Sequence, residues 1–271
     1  MRLIVLIFLC ALTEHAFAQV PSGAVLGGFK NVVWSDYFHT FDQSGTWAQT
    51  WWLSTPTLGN HYDGSVTRVA GNGGGIPAHV ALVTSGGEFG SMILNHPNVF
   101  APPSYEPSFL HGYFEASIRL TTTSGKIANN YGTFWMVSKS FLENTDVAPS
   151  GTAKRCELDV METNGAKPNT VITTEHWWTL PPGSTTWINQ SNTNGTNIVS
   201  NLPSNPTDGN YHTYGMLWIY GKVMWYYDDV LVNSFISFPG CDTTPMTLIF
   251  TVLSTAGDEQ EEDIGWVRVW Q

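Results

Sequence analysis

The sequence predicts an all-β sandwich, on three observations. Strand-length runs of alternating or apolar residues recur along the chain, and turn residues separate them at short spacing. After residue 18, no stretch carries a helical pattern for more than a few turns. Apolar residues make up 42% of the 271 residues and charged residues only 12%, so the chain can bury a large core. A sandwich of this length is commonly one unit, which predicts a single domain over residues 19–271.

The predicted strands follow one another with turn or loop signals between them. The glycine-rich Gly71–Gly75 lacks the Lys-Ser/Thr ending of a phosphate loop and is interpreted as a turn. The polar segment from Leu180 to Gly209 is interpreted as a loop insertion, and the acidic run Asp258–Asp263 as a solvated loop. The strands are expected near residues 32–34, 79–84, 91–94, 111–120, 132–137, 156–165, 169–178, 210–218, 222–232, 246–251 and 265–270. Asp228-Asp229 is expected to form a turn within 222–232, because aspartate tolerates left-handed backbone.

The first eighteen residues have the organisation of a secretory signal peptide. Arg2 provides the positive end, Leu3–Leu12 the apolar run, and Ala16–Ala18 the small-x-small cleavage site. The apolar run is too short to span a bilayer comfortably, and no later stretch is long and apolar enough. We therefore expect cleavage before Gln19 and a secreted protein without a membrane partner.

Charge restricts the class of partner. The chain carries 11 Lys and Arg against 22 Asp and Glu, a net charge of −11. Removing residues 1–18 takes away one base and one acid and leaves that net charge unchanged. The basic surface that nucleic-acid binding needs is absent. Long-range repulsion also disfavours a heavily sulfated polymer and favours a neutral one.

Three carboxylates lie within six positions of the predicted strand at 156–165. Side chains alternate between the two faces of a strand, so Glu157 and Asp159 share one face and Glu162 falls on the other. A single extra residue, a β-bulge at Val160 or Met161, would return Glu162 to the face of the other two. Bulges commonly lie beside active sites, where they re-aim a side chain.

This spacing suits a two-carboxyl reaction. With the bulge, Glu157 and Glu162 lie four strand steps apart, roughly 13 Å between Cα atoms. Two long side chains can then bring their carboxyl groups to the ~5–5.5 Å that retaining glycoside hydrolysis requires. Three carboxylates this close cannot all ionise without cost, so at least one pKa should be raised. A calcium site or a solvated acidic edge strand is the alternative.

The segment from Glu157 to Glu162 resembles the bulged Glu-x-Asp-x-x-Glu strand of glycoside hydrolase family 16. The Gly-Tyr-Phe-Glu-Ala run at 112–116 and the His-x-Tyr-x-x-x-Trp run at 212–218 also resemble segments of that family. The resemblance implies a jelly roll of two curved antiparallel sheets with an open concave substrate groove. It implies a reaction without a metal or an organic cofactor. The implied roles are nucleophile for Glu157, general acid/base for Glu162 and an orienting carboxylate for Asp159.

The resemblance also implies sugar contacts outside the carboxylates. Trp135 lies in a Phe-Trp strand that adjoins the catalytic strand in the family, although a core position is the alternative. His176 stands fourteen residues after Glu162, where the family often has a His that could bond the nucleophile or the substrate. A lone His is more often a packing residue. Trp177 and Trp178 point to opposite faces, and we expect Trp178, on the face of His176, to reach the groove.

Together these features predict a secreted, monomeric, retaining endo-β-glycanase acting on a neutral polysaccharide. The preferred substrate is a β-1,3- or β-1,3-1,4-glucan. Thr251–Thr255 replaces the laminarinase-type segment of the family, and Gly265 replaces an Asp. The first departure keeps agar-type galactan hydrolysis open as an alternative, and the second puts a calcium site in doubt. The same scaffold could also support transglycosylation, or carbohydrate binding without catalysis.

The cysteines leave one question open. Cys10 would leave with the signal peptide, while Cys156 and Cys241 remain. In an exported protein they could form a disulfide, but sequence does not establish whether they approach within bonding distance. Asn189 and Asn194 each begin an Asn-x-Ser/Thr glycosylation motif.

Overall fold

The computed structural model describes the larger part of the chain and confirms the predicted all-β fold. The predicted signal peptide, the Gly71–Gly75 turn and Asn194 lie outside the described residues. No described helix is long and apolar enough to cross a membrane. The described residues are 19–38, 51–53, 67–70, 79–84, 89–94, 108–122, 129–138, 153–164, 167, 169–192, 198–253 and 260–271.

The described residues form one short helix and a series of strands. The helix, α1, spans Ser22–Gly27 and ends on Gly28, whose φ of 77° lies in the left-handed region that favours glycine. The strands are β1 Val32–Asp36, β2 Trp51–Leu53, β3 Thr67–Ala70, β4 His79–Thr84, β5 Phe89–Leu94, β6 Gly112–Thr122, β7 Asn129–Ser138, β8 Ala153–Asn164, β9 Val171–Leu180, β10 Ile188–Ser191, β11 Ile198–Val199, β12 His212–Ile219, β13 Lys222–Tyr227, β14 Val230–Phe235, β15 Met246–Leu253 and β16 Gln260–Trp270.

These strands build two antiparallel sheets. Sheet 1 has the order β14-β13-β12-β6-β16-β4-β3, with β1 also paired to β16. Sheet 2 has the order β10-β9-β8-β7-β15-β5-β2, with β11 also paired to β9. Neighbouring strands are often far apart in the sequence, as in a jelly roll, so the fold depends on long-range pairing.

The main core lies between the two sheets. Alternate residues of β8, Cys156 and Leu158, point into it and are fully buried, as are Trp218 and Trp225 of sheet 1. The Trp225 indole Nε1 donates a 2.7 Å hydrogen bond to the backbone oxygen of Asp159. A core side chain of sheet 1 therefore supports the strand of sheet 2 that carries the three carboxylates.

The turn between β13 and β14 is the one the sequence predicted. Asp228 and Asp229 have φ values of 47° and 62°, the left-handed backbone usually given to glycine. Aspartate tolerates that conformation because its short side chain bonds locally. The Asp228 carboxylate accepts a 2.9 Å bond from the Thr213 backbone N–H.

The prediction of a solvated loop at Asp258–Asp263 was wrong from Gln260 onward. β16 begins at Gln260, and Glu262 and Asp263 are fully buried. Arg119 pairs with the Asp263 carboxylate at 2.5 Å, and burial raises the pKa of Glu262 well above its usual range. The density of charged residues predicted exposure to solvent. Burial is possible because a partner such as Arg119 lies on another strand.

The structure answers the open question about the cysteines. Cys156 of β8 and Cys241, which follows β14, form a disulfide with Cα atoms 5.6 Å apart. Both residues are fully buried, and the bond closes a separation of 85 residues. It fixes the start of the carboxylate-bearing strand to the loop beneath it.

We expect the double variant Cys156→Ala/Cys241→Ala to lose about 4 kcal/mol of unfolding free energy, since its unfolded chain regains the freedom of a long loop. Guanidinium unfolding of the variant and the oxidised parent measures the difference. Changing both residues avoids leaving a free buried thiol. An unchanged unfolding midpoint with an unchanged slope would contradict the prediction.

Candidate active site

β8 contains the predicted bulge. Asp159 pairs with Trp135 of β7, whereas Met161 pairs with Phe134, so Val160 is the extra residue. The register between β8 and β9 shifts at the same place, between Asp159 and Glu162. Val160 and Met161 both pack into the core. The extra residue thereby returns Glu162 to the outer face of sheet 2, which Glu157 and Asp159 share.

The environment of the three carboxyl groups favours protonation. Asp159 is 3% exposed, while Glu157 and Glu162 are half-buried. Burial raises the pKa of each group, that of Glu162 to about 7. Repulsion from Glu162 raises the pKa of Glu157 and Asp159 further. The set therefore holds fewer than three charges near neutral pH.

The protons are not equally placed among the three groups. A hydrogen bond joins Glu157 and Asp159, and it lowers the pKa of Glu157 while it raises that of Asp159. This sign places the proton of that hydrogen bond on Asp159, although burial and repulsion from Glu162 still raise the pKa of Glu157 to about 8. Burial raises the pKa of Glu162 to about 7, so close to neutral pH Glu157 and Glu162 hold one proton between them, which gives one ionised carboxylate beside one acid. Retaining glycoside hydrolysis needs that combination.

His176 joins this group from β9. It pairs directly opposite Glu157, and its Nε2 lies 3.6 Å from Asp159 Oδ2. Burial lowers the pKa of His176, so the ring is neutral at neutral pH. Ligand atoms of Glu157, Asp159 and His176 lie within 4.8 Å of one another, so these three could also hold a metal ion. The same short distances allow the carboxyl groups to share a proton.

Trp135 lies on the face of the carboxylates, as predicted. Its cross-strand partner is Asp159, and the side chain is partly exposed. The indole Nε1 donates a 2.8 Å bond to Thr251 Oγ1. Thr251 also shares a short hydroxyl contact with Thr133. Thr251, in the segment that departs from the laminarinase pattern, therefore orients the indole.

The two neighbouring tryptophans of β9 separate as expected. Trp178 stacks on His176, with ring centroids 5.8 Å apart. Trp177 instead stacks on Phe238 at 4.6 Å and packs against the main core. Of these two tryptophans, Trp178 is therefore the one on the carboxylate face.

Sequence reasoning missed a cation on the same face. Arg155 lies two residues before Glu157 and pairs with Trp178 of β9. Its guanidinium carbon lies 4.1 Å from the ring centroid of Trp187. Strand alternation along β8 places Arg155 on the face of Glu157, so its position could have been predicted. Its partner Trp187 could not, because it lies in the polar segment interpreted as a loop. Within that segment the structure places β10, at Ile188–Ser191.

The raised pKa of Glu162 predicts the alkaline limit of activity. A general acid must be protonated in the free protein, and burial holds the pKa of Glu162 at about 7. Burial also raises the pKa of Glu157 to about 8, and the active protein keeps one proton between these two groups. We therefore expect kcat/KM to fall as pH rises above about 8, approaching tenfold per unit. Initial rates from about pH 5 to about pH 9, with thermal unfolding measured alongside, test this. A flat profile to the upper end would contradict it.

A β-sandwich that carries closely spaced carboxyl groups and indole rings on one face is typical of sugar-cleaving proteins. Residues 102–268 match the sequence profile described as glycosyl hydrolases family 16. The match spans more than half of the chain. The chain belongs to this family.

Known relatives agree with the family. The chain is 31% identical over 124 residues to the endo-1,3-1,4-beta-glycanase EglC of Rhizobium meliloti (strain 1021). The matched region covers 45% of this chain. The match covers only 20% of that relative, so the chain spans about a fifth of its length.

Solved structures show the same fold at low identity. A family 16 protein of the Bacteroides ovatus mixed-linkage glucan locus, in complex with a G4G4G3G product, has a TM-score of 0.62 at 18% identity. That comparison covers 88% of this chain and all of the other. The kappa-carrageenase of Pseudoalteromonas carrageenovora has a TM-score of 0.61 at 16% identity, covering 87% of this chain and 92% of the other.

Proposed function

We propose that this protein is a retaining endo-β-glycanase that hydrolyses internal bonds of a neutral β-1,3- or β-1,3-1,4-glucan. The observation that carries the proposal is the bulge at Val160, which gathers Glu157, Asp159 and Glu162 on one face. We further propose that residues 1–18 are a signal peptide and that residues 19–271 act as one exported, monomeric domain.

In the first step, the Glu157 carboxylate attacks the anomeric carbon of the sugar. The glycosidic C–O bond breaks, and Glu162 gives its proton to the departing oxygen. In the second step, Glu162 removes a proton from water, whose oxygen attacks the same carbon and releases Glu157. Two inversions give net retention. Asp159 donates a hydrogen bond to Glu157, which orients the nucleophile and lowers its pKa.

Substrate choice rests on charge and on the relatives. The net charge of −11 disfavours the approach of a polyanion. The curated relative EglC is named for 1,3-1,4-linkages, which favours a mixed-linkage glucan. The fold alone does not decide, because the kappa-carrageenase shares it. The unusual Thr251 beside Trp135 keeps an agar-type galactan as the second candidate.

Reducing-end release from laminarin, lichenan, agarose and carrageenan tests the function. We expect release from laminarin or lichenan, with oligosaccharides of mixed length appearing before any single sugar. Release from agarose alone would favour the galactan alternative. Release from none of the four, in protein that binds them, would favour a non-catalytic binding protein. Chromatography of early products also separates hydrolysis from transglycosylation, which lengthens chains.

We expect Trp178→Ala to raise KM about tenfold with a smaller change in kcat. The reason is that an exposed indole face contributes stacking energy to a sugar ring in both the ground and transition states. Trp177→Phe is the matched control, because Trp177 packs against Phe238 on the other face. Steady-state kinetics on a soluble glucan measures both. Equal KM values for the two variants would contradict the assignment of Trp178 to the groove.

A further inference from the structure

A cavity lies on the side of the sandwich opposite to the three carboxylates. It has a volume of about 400 Å³ and opens on the outer face of sheet 1, whereas the carboxylates lie on the outer face of sheet 2. Strands β6, β12 and β16 form its floor, and the segment from Gln19 to Pro21 forms one wall. Nothing in the proposed reaction uses this cavity.

Glu115 of β6 lies at the base of the cavity and is 2% exposed. Its Oε1 accepts a 2.9 Å bond from Trp270 Nε1 and a 3.4 Å bond from Arg268 Nη1. Both bonds fall on the same oxygen, so among the described residues Oε2 accepts none. Oε2 is accessible, so it can accept a hydrogen bond from a ligand in the cavity.

Arg268 of β16 provides the complementary group. Its guanidinium lies 3.7 Å from the ring centroid of Trp266 and 5.6 Å from that of Tyr37. These contacts fix the plane of the guanidinium beside Glu115. Its Nε is buried and has no hydrogen-bond partner in the described part of the chain. Nη2 is accessible and donates to no described residue, so it can donate to a ligand in the cavity.

A hydroxyl group satisfies both requirements, because it donates one hydrogen bond and accepts others. An anion would face Glu115 and the neighbouring Asp228 and Asp229, and a metal ion would face the charge of Arg268. A neutral ring bearing several hydroxyls meets neither repulsion. The volume is within the range of small-molecule sites and accommodates one sugar unit.

We propose that this cavity is an accessory carbohydrate site that binds a neutral hexose unit of a glycan. Glu115 accepts from one hydroxyl and Arg268 donates to a neighbouring one. The two sites face opposite directions, so one glycan strand held here leaves the groove of sheet 2 free. Holding polymer at a second site raises the local concentration of substrate at the groove.

Glu115→Gln is the test variant. Trp270 and Arg268 both donate to the Oε1 position, so the amide oxygen must occupy it and the NH₂ group must point into the cavity. The acceptor for the sugar becomes a donor, while shape is kept. Burial raises the pKa of Glu115 to about 7, so the titration is run about one pH unit above that value, where Oε2 carries no proton and accepts. Glu175→Gln is the matched control, since Glu175 is also buried, with a pKa raised to about 7, and bonds Ser237 elsewhere.

The titration uses the Glu157→Gln protein, so that no probe is consumed, with laminaritetraose and a mixed-linkage tetrasaccharide as probes. We expect two binding events per chain by calorimetry. Glu115→Gln should weaken one of them about tenfold or more, and Glu175→Gln should leave both. Arg268→Lys, which keeps the charge and removes the guanidinium N–H groups, should weaken the same event. Thermal unfolding confirms that each variant is folded.

The outcomes separate this site from the groove. A single event that Glu115→Gln removes supports the accessory site and counts against the groove as a site for these sugars. Events that neither Glu115→Gln nor Arg268→Lys changes would overturn the proposal. Displacement of the Glu115-dependent event by calcium chloride would also overturn it, because it would make the cavity a metal site.

Discussion

Glu157→Gln is expected to lower kcat by about 10⁴-fold or more on any glucan the protein hydrolyses. The amide has nearly the shape of the carboxylate but cannot form the covalent bond to the anomeric carbon, and the route by two displacements is lost. Binding should persist, because the groove and its indoles are unchanged. Single-turnover kinetics with a soluble β-glucan measures the loss.

The control for this variant is chemical. In Glu157→Ala, sodium azide can occupy the space of the carboxylate and attack from the same side, so we expect a glycosyl azide of inverted configuration. Glu175→Gln, at a buried acid on the core side of β9, should keep turnover. Normal turnover by Glu157→Gln would show that the nucleophile is another group.

Glu162→Gln is expected to lower kcat by about 10²–10⁴-fold on polysaccharide, the usual contribution of a general acid/base. The loss should depend on the leaving group. A dinitrophenolate departs without a proton, so an aryl glycoside should still glycosylate Glu157 rapidly and give a burst. Hydrolysis of that intermediate should then be slow, because no base activates the water. Stopped-flow release of dinitrophenol measures both phases.

The alkaline limit gives an independent check on Glu162. In Glu162→Gln no proton is lost from position 162, so the alkaline fall of kcat/KM should disappear. Azide added to Glu162→Ala should yield a glycosyl azide of retained configuration, the opposite of the Glu157→Ala product. An unchanged pH profile in Glu162→Gln would assign the acid to another residue.

Much of the fold was predictable from local sequence. Period-two alternation located most strands, and the parity of Glu157, Asp159 and Glu162 located the bulge, because an uncorrected strand would bury Glu162 in the core. The Asp228-Asp229 turn followed from the tolerance of aspartate for left-handed backbone. Each of these depends on a few consecutive residues.

Features that depend on distant partners were not predictable. The burial of Asp263 requires Arg119, 144 residues away. The disulfide required the approach of β8 to a loop after β14, which no spacing reveals. Arg155 packs against Trp187, which lies in a segment whose composition indicated a loop. The cavity at Glu115 forms only where the N-terminal segment lies across sheet 1.

The most direct measurement is to trap the intermediate. In a 2-deoxy-2-fluoro glucoside the fluorine slows both displacements, while an activated leaving group keeps the first one fast. The covalent species should therefore accumulate. Peptide mass spectrometry of the inactivated protein should find the sugar on Glu157 and nowhere else. Labelling of Glu162 or Asp159, or turnover to a product of inverted configuration without labelling, would contradict the account.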